Sequence, residues 1–146
     1  MTELKLRLLR PNAKPPARAT AGSAGYDLAA CLDGQLSIPP GETRVVPTGL
    51  ALALEPGYAA FIYARSGLGV KHGIVPANGV GVVDADYRGE VHVCLRNHSD
   101  RAFAVRPGDR VAQMVIAPCL CPNIVVCDRL DDTARGAGGF GSSGLR

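Results

Sequence analysis

The sequence predicts an all-β fold of the sandwich, jelly-roll or barrel kind. Three observations carry that expectation. First, 18 glycines and 11 prolines punctuate the 146 residues. They recur about every ten residues and leave little room for long helices. Second, the apolar runs between them are short and rich in Val, Ile and occasional aromatics, the residues that suit a pleated surface. Third, several runs alternate apolar with polar residues at period two, as a half-buried strand does.

The elements follow in order. Leu4, Leu6 and Leu8 alternate with charged residues and open the series. Residues 50–54, 58–63 and 80–83 are the next strand candidates. Val91, Val93 and Leu95 alternate with His92, Cys94 and Arg96. Residues 110–116 and 124–127 complete the set. Pro40-Gly41, Pro56-Gly57 and Pro107-Gly108 each lie between apolar runs and read as turns. Residues 67–72 are the one place for a short helix. From about Asp128 the β pattern stops. The expected organisation is one β domain over residues 1–127 and a flexible C-terminal arm over 128–146.

Composition bounds the function. The length suits one domain with a single core. A formal net charge of +3, with both signs interspersed, is too mild to argue for nucleic acid or a membrane surface. No apolar run is long enough to span a bilayer. The N-terminus alternates charge with leucine and does not resemble a signal peptide. The expectation is a soluble, cytoplasmic protein with reduced thiols. An odd count of 5 cysteines argues against a full disulfide framework. Cys119, Cys121 and Cys127 lack the paired spacing of structural zinc and read better as small buried hydrophobes in a strand. The zinc-deaminase signature is absent, because no His-x-Glu occurs in the chain. There is no Trp, and the apolar residues are mostly small. Pairing with sister subunits would supplement what one such core can bury.

Five clusters carry chemistry. In Ser23-Ala24-Gly25-Tyr26-Asp27-Leu28 a glycine turn delivers an acid into a strand; Asp27 serves a metal or merely caps the turn. In the stretch from Arg65 through Ser66 and Gly67 to Gly73, a helix start offers free N–H groups to phosphate, with Arg65 beside them. The bland alternative there is a surface Arg and an ordinary Ser cap. From Asn78 to Glu90, an apolar strand ending in Val83 delivers Asp84, with Asp86 facing the same way. Asp84 is a candidate base or metal ligand, or part of a polar turn. In Gly108-Asp109-Arg110-Val111-Ala112-Gln113-Met114, Gln113 sits in an apolar run, so it makes buried hydrogen bonds or touches a ligand. Finally, Arg135-Gly136-Ala137-Gly138-Gly139-Phe140-Gly141-Ser142-Ser143-Gly144 joins phosphate donors to an aromatic face on which a base can stack. Gly139 to Gly144 also matches G-x-G-x-x-G, but no helix follows it, so it is not a dinucleotide fingerprint.

Each cluster is weak alone. In this order and over most of the chain, the strings AGYDL, RSGLGVKHGI, GVGVVDADYRGE, GDRVAQM and RGAGGFGSSG closely resemble the five motifs of the trimeric dUTPases. One position departs from the family pattern: Ala64 stands where a proline usually precedes Arg65-Ser66-Gly67, which bears on the stiffness of that loop.

The resemblance implies a distorted jelly-roll subunit in a homotrimer with shared active sites. It implies hydrolysis of dUTP to dUMP and pyrophosphate, which limits uracil in DNA and supplies dUMP for thymidylate synthesis. Asp84 would be the general base for in-line attack of water on the α-phosphorus. Asp27 would hold Mg²⁺ through water. Arg65, Ser66, Gly67 and Gln113 would cradle the phosphates. Asn78 through Tyr87, Val83 included, would form a hairpin that reads uracil through its backbone. Tyr87 would stack beneath the deoxyribose and exclude a 2′-hydroxyl. The arm would close over the site of another subunit, with Phe140 on uracil, Arg135, Ser142 and Ser143 at the phosphates, and Gly141 among the substrate-binding residues. The rival readings are a dCTP deaminase of related fold and a catalytically weak, regulatory nucleotide-binding relative.

Overall fold

The computed structural model describes residues 3–139. The chain runs through β1 (Lys5–Leu8), β2 (Tyr26–Ala29), β3 (Leu36–Ile38), β4 (Thr43–Pro47), β5 (Leu50–Ala53) and β6 (Tyr58–Tyr63). Then come α1 (Ser66–His72), β7 (Ile74–Pro76), β8 (Gly81–Val83), β9 (His92–Asn97), β10 (Phe103–Val105) and β11 (Arg110–Pro118). The all-β expectation holds, and the one short helix among the described residues lies where the sequence left room for it. The three Pro-Gly turns form as well. Gly41, Gly57 and Gly108 take φ of 70°, 85° and 81°, a region other residues enter only with strain.

Every described strand pair is antiparallel. The orders are β1-β5, β10-β3, β4-β9-β7 and β2-β11-β6-β8. The last of these strands, β11, thus pairs with β2 near the start of the chain, which closes the fold on itself. Short sheets wrapped this way make a distorted jelly roll around one core. Ile38, Val46, Leu50, Leu95, Val105 and Met114 are wholly buried at its centre. Each such side chain contributes about 1.5–3 kcal/mol on leaving water. Two polar residues share that core, and both are satisfied. Thr48 Oγ1 donates to the Val91 carbonyl at 2.6 Å, and Asn97 Nδ2 donates to the carbonyls of Ile38 and Arg101 at 2.8 and 2.7 Å.

The structure corrects two expectations. Residues 124–127 form no strand; the last described one ends at Pro118. Leu120, Ile124, Val125, Val126 and Leu130 are each 80–93 % exposed, and Cys121 and Cys127 are exposed with them. Their β-type composition is real, but the described residues of this chain offer them no partner strand. The second correction concerns the hairpin over Asn78–Tyr87. The chain does turn at Asn78-Gly79, where the Gly79 N–H donates to the Pro76 carbonyl at 3.0 Å. The two flanking strands then join different sheets, β7 with β9 and β8 with β6. The turn therefore leads from one sheet into another, and β8 is the one strand within Asn78–Tyr87.

Candidate active site

The four-stranded sheet builds the first half of the site. Asp27 on β2 stands opposite Gln113 on β11, and Gln113 stands opposite Tyr63 on β6. Directly opposed residues share a face, so Asp27 and Gln113 project together. Two residues beyond Tyr63 comes Arg65, whose Nε donates to Asp27 Oδ1 at 2.7 Å. Arg110 closes the other side of the carboxylate, its guanidinium donating to Asp27 Oδ2 at 2.9 Å. The β11–β2 register shifts between Arg110 and Ala112. Such a bulge re-aims side chains, here in the segment that carries Arg110. Sequence reasoning passed over Arg110, although a charge leading into an apolar strand was its signal.

Gln113 is held from two directions. Its Nε2 donates to the Ala64 carbonyl at 2.8 Å. Its Oε1 lies where a Cβ on Gly25 would stand only 2.8 Å away, so Gly25 leaves room for the amide. The bond to residue 64 uses the backbone carbonyl, which alanine and proline present alike. The departure at Ala64 therefore leaves this contact intact.

Helix α1 begins beside these groups. Arg65 occupies the cap position with extended backbone, φ −83° and ψ 131°, and no side chain caps the helix. Ser66 is the first helical residue, which sets aside the ordinary Ser cap. The first turn carries no acidic residue. Its N–H groups lack intrahelical partners, and the helix dipole favours an anion there. Ser23, Gly25, Asp27, Arg65, Ser66 and Gln113 are among the residues lining one cavity of about 300 Å³ at this point. Charged donors, free N–H groups and an amide facing one space are the chemistry of a polyphosphate cradle.

Asp27 is the carboxylate in that cavity. Its side chain is 17 % exposed and each oxygen accepts one arginine. A carboxylate has lone pairs to spare beyond those two bonds. Among the described residues, no three His, Cys, Asp or Glu side chains gather to form a metal cage. One carboxylate beside a phosphate cradle fits Mg²⁺, which prefers phosphate oxygens and retained waters to an all-protein cage.

Asp84 lies elsewhere. It follows β8, whose Val83 pairs with Ala60, so Asp84 is level with Ala59 at the opposite end of β6 from Arg65. From Asp27 it is three strand spacings across the sheet and four residues along it. With strands about 4.8 Å apart and a rise of about 3.3 Å per residue, the two aspartates stand roughly 20 Å apart. Asp84 is exposed and lines a second cavity of about 580 Å³ with Tyr58, Asp86, Arg88, Cys119 and Cys121 among its walls. The turn after it is tight. The Tyr87 N–H donates to the Asp84 carbonyl at 3.2 Å, and the Arg88 guanidinium donates to the carbonyls of Ala85 and Tyr87 at 2.7 and 2.9 Å. Tyr87 keeps 44 % of its surface exposed, Val83 is buried, and Asn78 is exposed at its turn.

One chain thus brings together Asp27, Arg65, Ser66, Gly67 and Gln113, whereas Asn78, Val83, Asp84 and Tyr87 are strung along β8 and the turns at its two ends, with Asp84 at the end away from Arg65. It does not bring the two groups to each other. Arg135 lies in an exposed turn, its Nε donating to the Gly138 carbonyl at 2.8 Å. Phe140, Gly141, Ser142 and Ser143 lie outside the described residues.

This combination defines an antiparallel β protein with a cavity chemically suited to polyphosphate at one end of a sheet and an exposed carboxylate at the other. Known proteins similar to this chain bear on what it is. The dUTPase family model matches residues 11–144. The deoxyuridine 5′-triphosphate nucleotidohydrolase of Janthinobacterium sp. (strain Marseille) is 50 % identical over 147 residues, covering 99 % of each chain. That of Hahella chejuensis is 52 % identical over 132 residues, covering 90 % of this chain and 87 % of the relative. A mutant dUTPase of Staphylococcus bacteriophage 80alpha, solved with dUpNHpp, superposes with a TM-score of 0.91 at 26 % identity, covering 99 % of this chain and 100 % of that one. A mutant dUTPase from phage phi11 of S. aureus, described with the coordination of a structural Mg(II) ion, gives a TM-score of 0.79 at 26 % identity over 88 % of this chain and 98 % of the other. The chain belongs to the dUTPase family.

Proposed function

We propose that the protein hydrolyses dUTP to dUMP and pyrophosphate at sites completed between copies of the chain. The observation that carries this is the sheet itself. It gathers Asp27, Arg65, Ser66 and Gln113 around one cavity, yet leaves Asp84 roughly 20 Å away. A base must lie within hydrogen-bond reach of its water, directly or through one further water. A second copy, turned so that its Asp84 faces this cradle, supplies what one chain lacks. A homotrimer with shared sites satisfies every copy equally, because a closed ring repeats the same contact.

Each residue then has a role. Asp84 takes the proton of the attacking water as it adds in line to the α-phosphorus, and pyrophosphate leaves. Arg65, Ser66, Gly67 and Gln113 hold the phosphate chain and neutralise its growing charge, which supplies most of the catalysis in phosphoryl transfer. Asp27 keeps Arg65 and Arg110 in place and would hold Mg²⁺ through water. Mg²⁺, when bound with the triphosphate, neutralises charge and fixes the chain's geometry. Asn78 and the backbone near Val83 read uracil, and Tyr87 underlies the sugar. The arm crosses to a neighbouring copy. The exposed Leu120, Ile124, Val125 and Val126 support this, since apolar side chains in such number mark an interaction surface. Arg135, Phe140, Gly141, Ser142 and Ser143 would close over phosphate and base and exclude water.

Pyrophosphate release measured with dUTP, dCTP, dTTP and UTP tests the reading. Release from dUTP, far above the other three, is the expected result. Ammonia from dCTP would make the protein a deaminase, and binding of dUTP without turnover would make it a regulatory relative.

A further inference from the structure

We propose that Gly89 is a positioning residue for sugar specificity: by leaving space for the Tyr87 ring, it fixes the wall that separates deoxyribose from ribose. The inference rests on the reading of Tyr87 as the platform beneath the sugar. Three observations carry it. A Cβ built on Gly89 collides with the Tyr87 ring, and its three nearest atoms all belong to that residue, Oη, Cζ and Cε2. Gly89 is not among the glycines with positive φ, so its backbone suits alanine. Glycine is needed here for space alone, and the space is occupied by Tyr87.

The far end of the ring is pinned as well. The Tyr87 hydroxyl donates to the Glu90 carbonyl at 3.0 Å. Glu90 is itself anchored, since its Oε1 accepts the Gly49 N–H at 2.8 Å and its Oε2 meets the Arg10 guanidinium at 3.3 Å. The neighbouring Val91 N–H donates to the Leu50 carbonyl at 2.8 Å, tying the residues just before β9 to β5. The ring is thus seated on Gly89 and tethered through its hydroxyl to the anchored segment that leads into β9. Its remaining 44 % exposed surface is what a sugar can meet. A rigid wall rejects one extra hydroxyl sterically; a displaced ring leaves a gap where the 2′-oxygen fits.

The readout is the ratio of kcat/KM for UTP to that for dUTP. Gly89→Ala should raise this ratio roughly tenfold, the scale on which pockets resolve single small groups. Tyr87→Phe keeps the ring but cuts the tether, and should raise the ratio by less. Tyr87→Ala should raise it most. In the Tyr87→Ala background, Gly89→Ala should add nothing, because the atoms it collides with are gone. The double variant also lacks the clash, which separates a specificity effect from misfolding. If Gly89→Ala and Tyr87→Phe leave the ratio unchanged while Tyr87→Ala raises it, the role of Gly89 is wrong and that of Tyr87 stands. A Gly89→Ala effect that persists in full without the tyrosine overturns the coupling. An unchanged ratio in Tyr87→Ala overturns both readings.

Discussion

Arg65 Nε donates to Asp27 Oδ1 at 2.7 Å, joining the end of β6 to β2 across the intervening strand β11. The side chains of this pair are 26 % and 17 % exposed, so water screens the contact only in part. Arg110 holds the other oxygen at 2.9 Å. The carboxylate thus orients Arg65, which lines the cradle, and holds Arg110 on its other side.

On the proposed reading, that geometry gives Asp27 a part in phosphate binding beside its part in holding a metal. Asp27→Asn should weaken both arginine contacts. Hydrogen bonds to charged groups contribute about 1.5–3 kcal/mol. Spread over substrate binding, this corresponds to a rise in KM of roughly 10- to 100-fold. Steady-state kinetics at saturating Mg²⁺ would check it. A KM within about twofold of the parent would show that the arginines hold their positions without Asp27.

Asp84→Asn should lower kcat by roughly 10² or more while dUTP binding stays near the parent value, since a general base acts in the transition state. Turnover and calorimetric binding should therefore part company. Binding lost in proportion to turnover would make Asp84 a substrate ligand and not the base.

The separation of Asp84 from the cradle gives a complementation test. Arg65→Ala and Asp84→Asn chains should each be nearly inactive. Unfolded together in equal amounts and refolded, they should regain about a quarter of the parent sites, because each intact site needs the right chain at each of two places in a closed ring. Sites built within one chain could never combine the two intact halves, and the mixture would stay as inactive as its parents.

Removal of divalent ions by a chelator should depress turnover, and Mg²⁺ should restore it. Full turnover in excess chelator would remove the metal from the mechanism.

Truncation before Arg135 should leave the melting temperature close to the parent value, because the described part of that segment, residues 135–139, lies almost wholly exposed. The truncated chain should turn over dUTP poorly. A large loss of stability would mean that the arm does structural work in the assembly.

Much of this protein was legible in its sequence. Gly and Pro spacing pointed to the all-β class, because those residues break helices and make turns through local geometry alone. Alternating Val91, Val93 and Leu95 marked β9 for the same local reason, and Gly67 to His72 marked the helix. The motif strings pointed to the dUTPases, and they named Asp27, Arg65, Gln113 and Asp84 separately. Composition misled at residues 124–127, where Ile124, Val125 and Val126 favour a strand but find no partner among the described residues of their own chain. A strand needs a partner edge for its backbone hydrogen bonds, and composition does not record whether one is within reach. Only the tertiary structure decided how the site residues meet. Asp27 lies 38 residues from Arg65 and 83 from Arg110, and strand register brings them together. The same register carries Asp84 to the far end of β6, and sends β7 and β8 to different sheets. Local preference acts within a few residues, whereas register is set by which faces the whole core can bury.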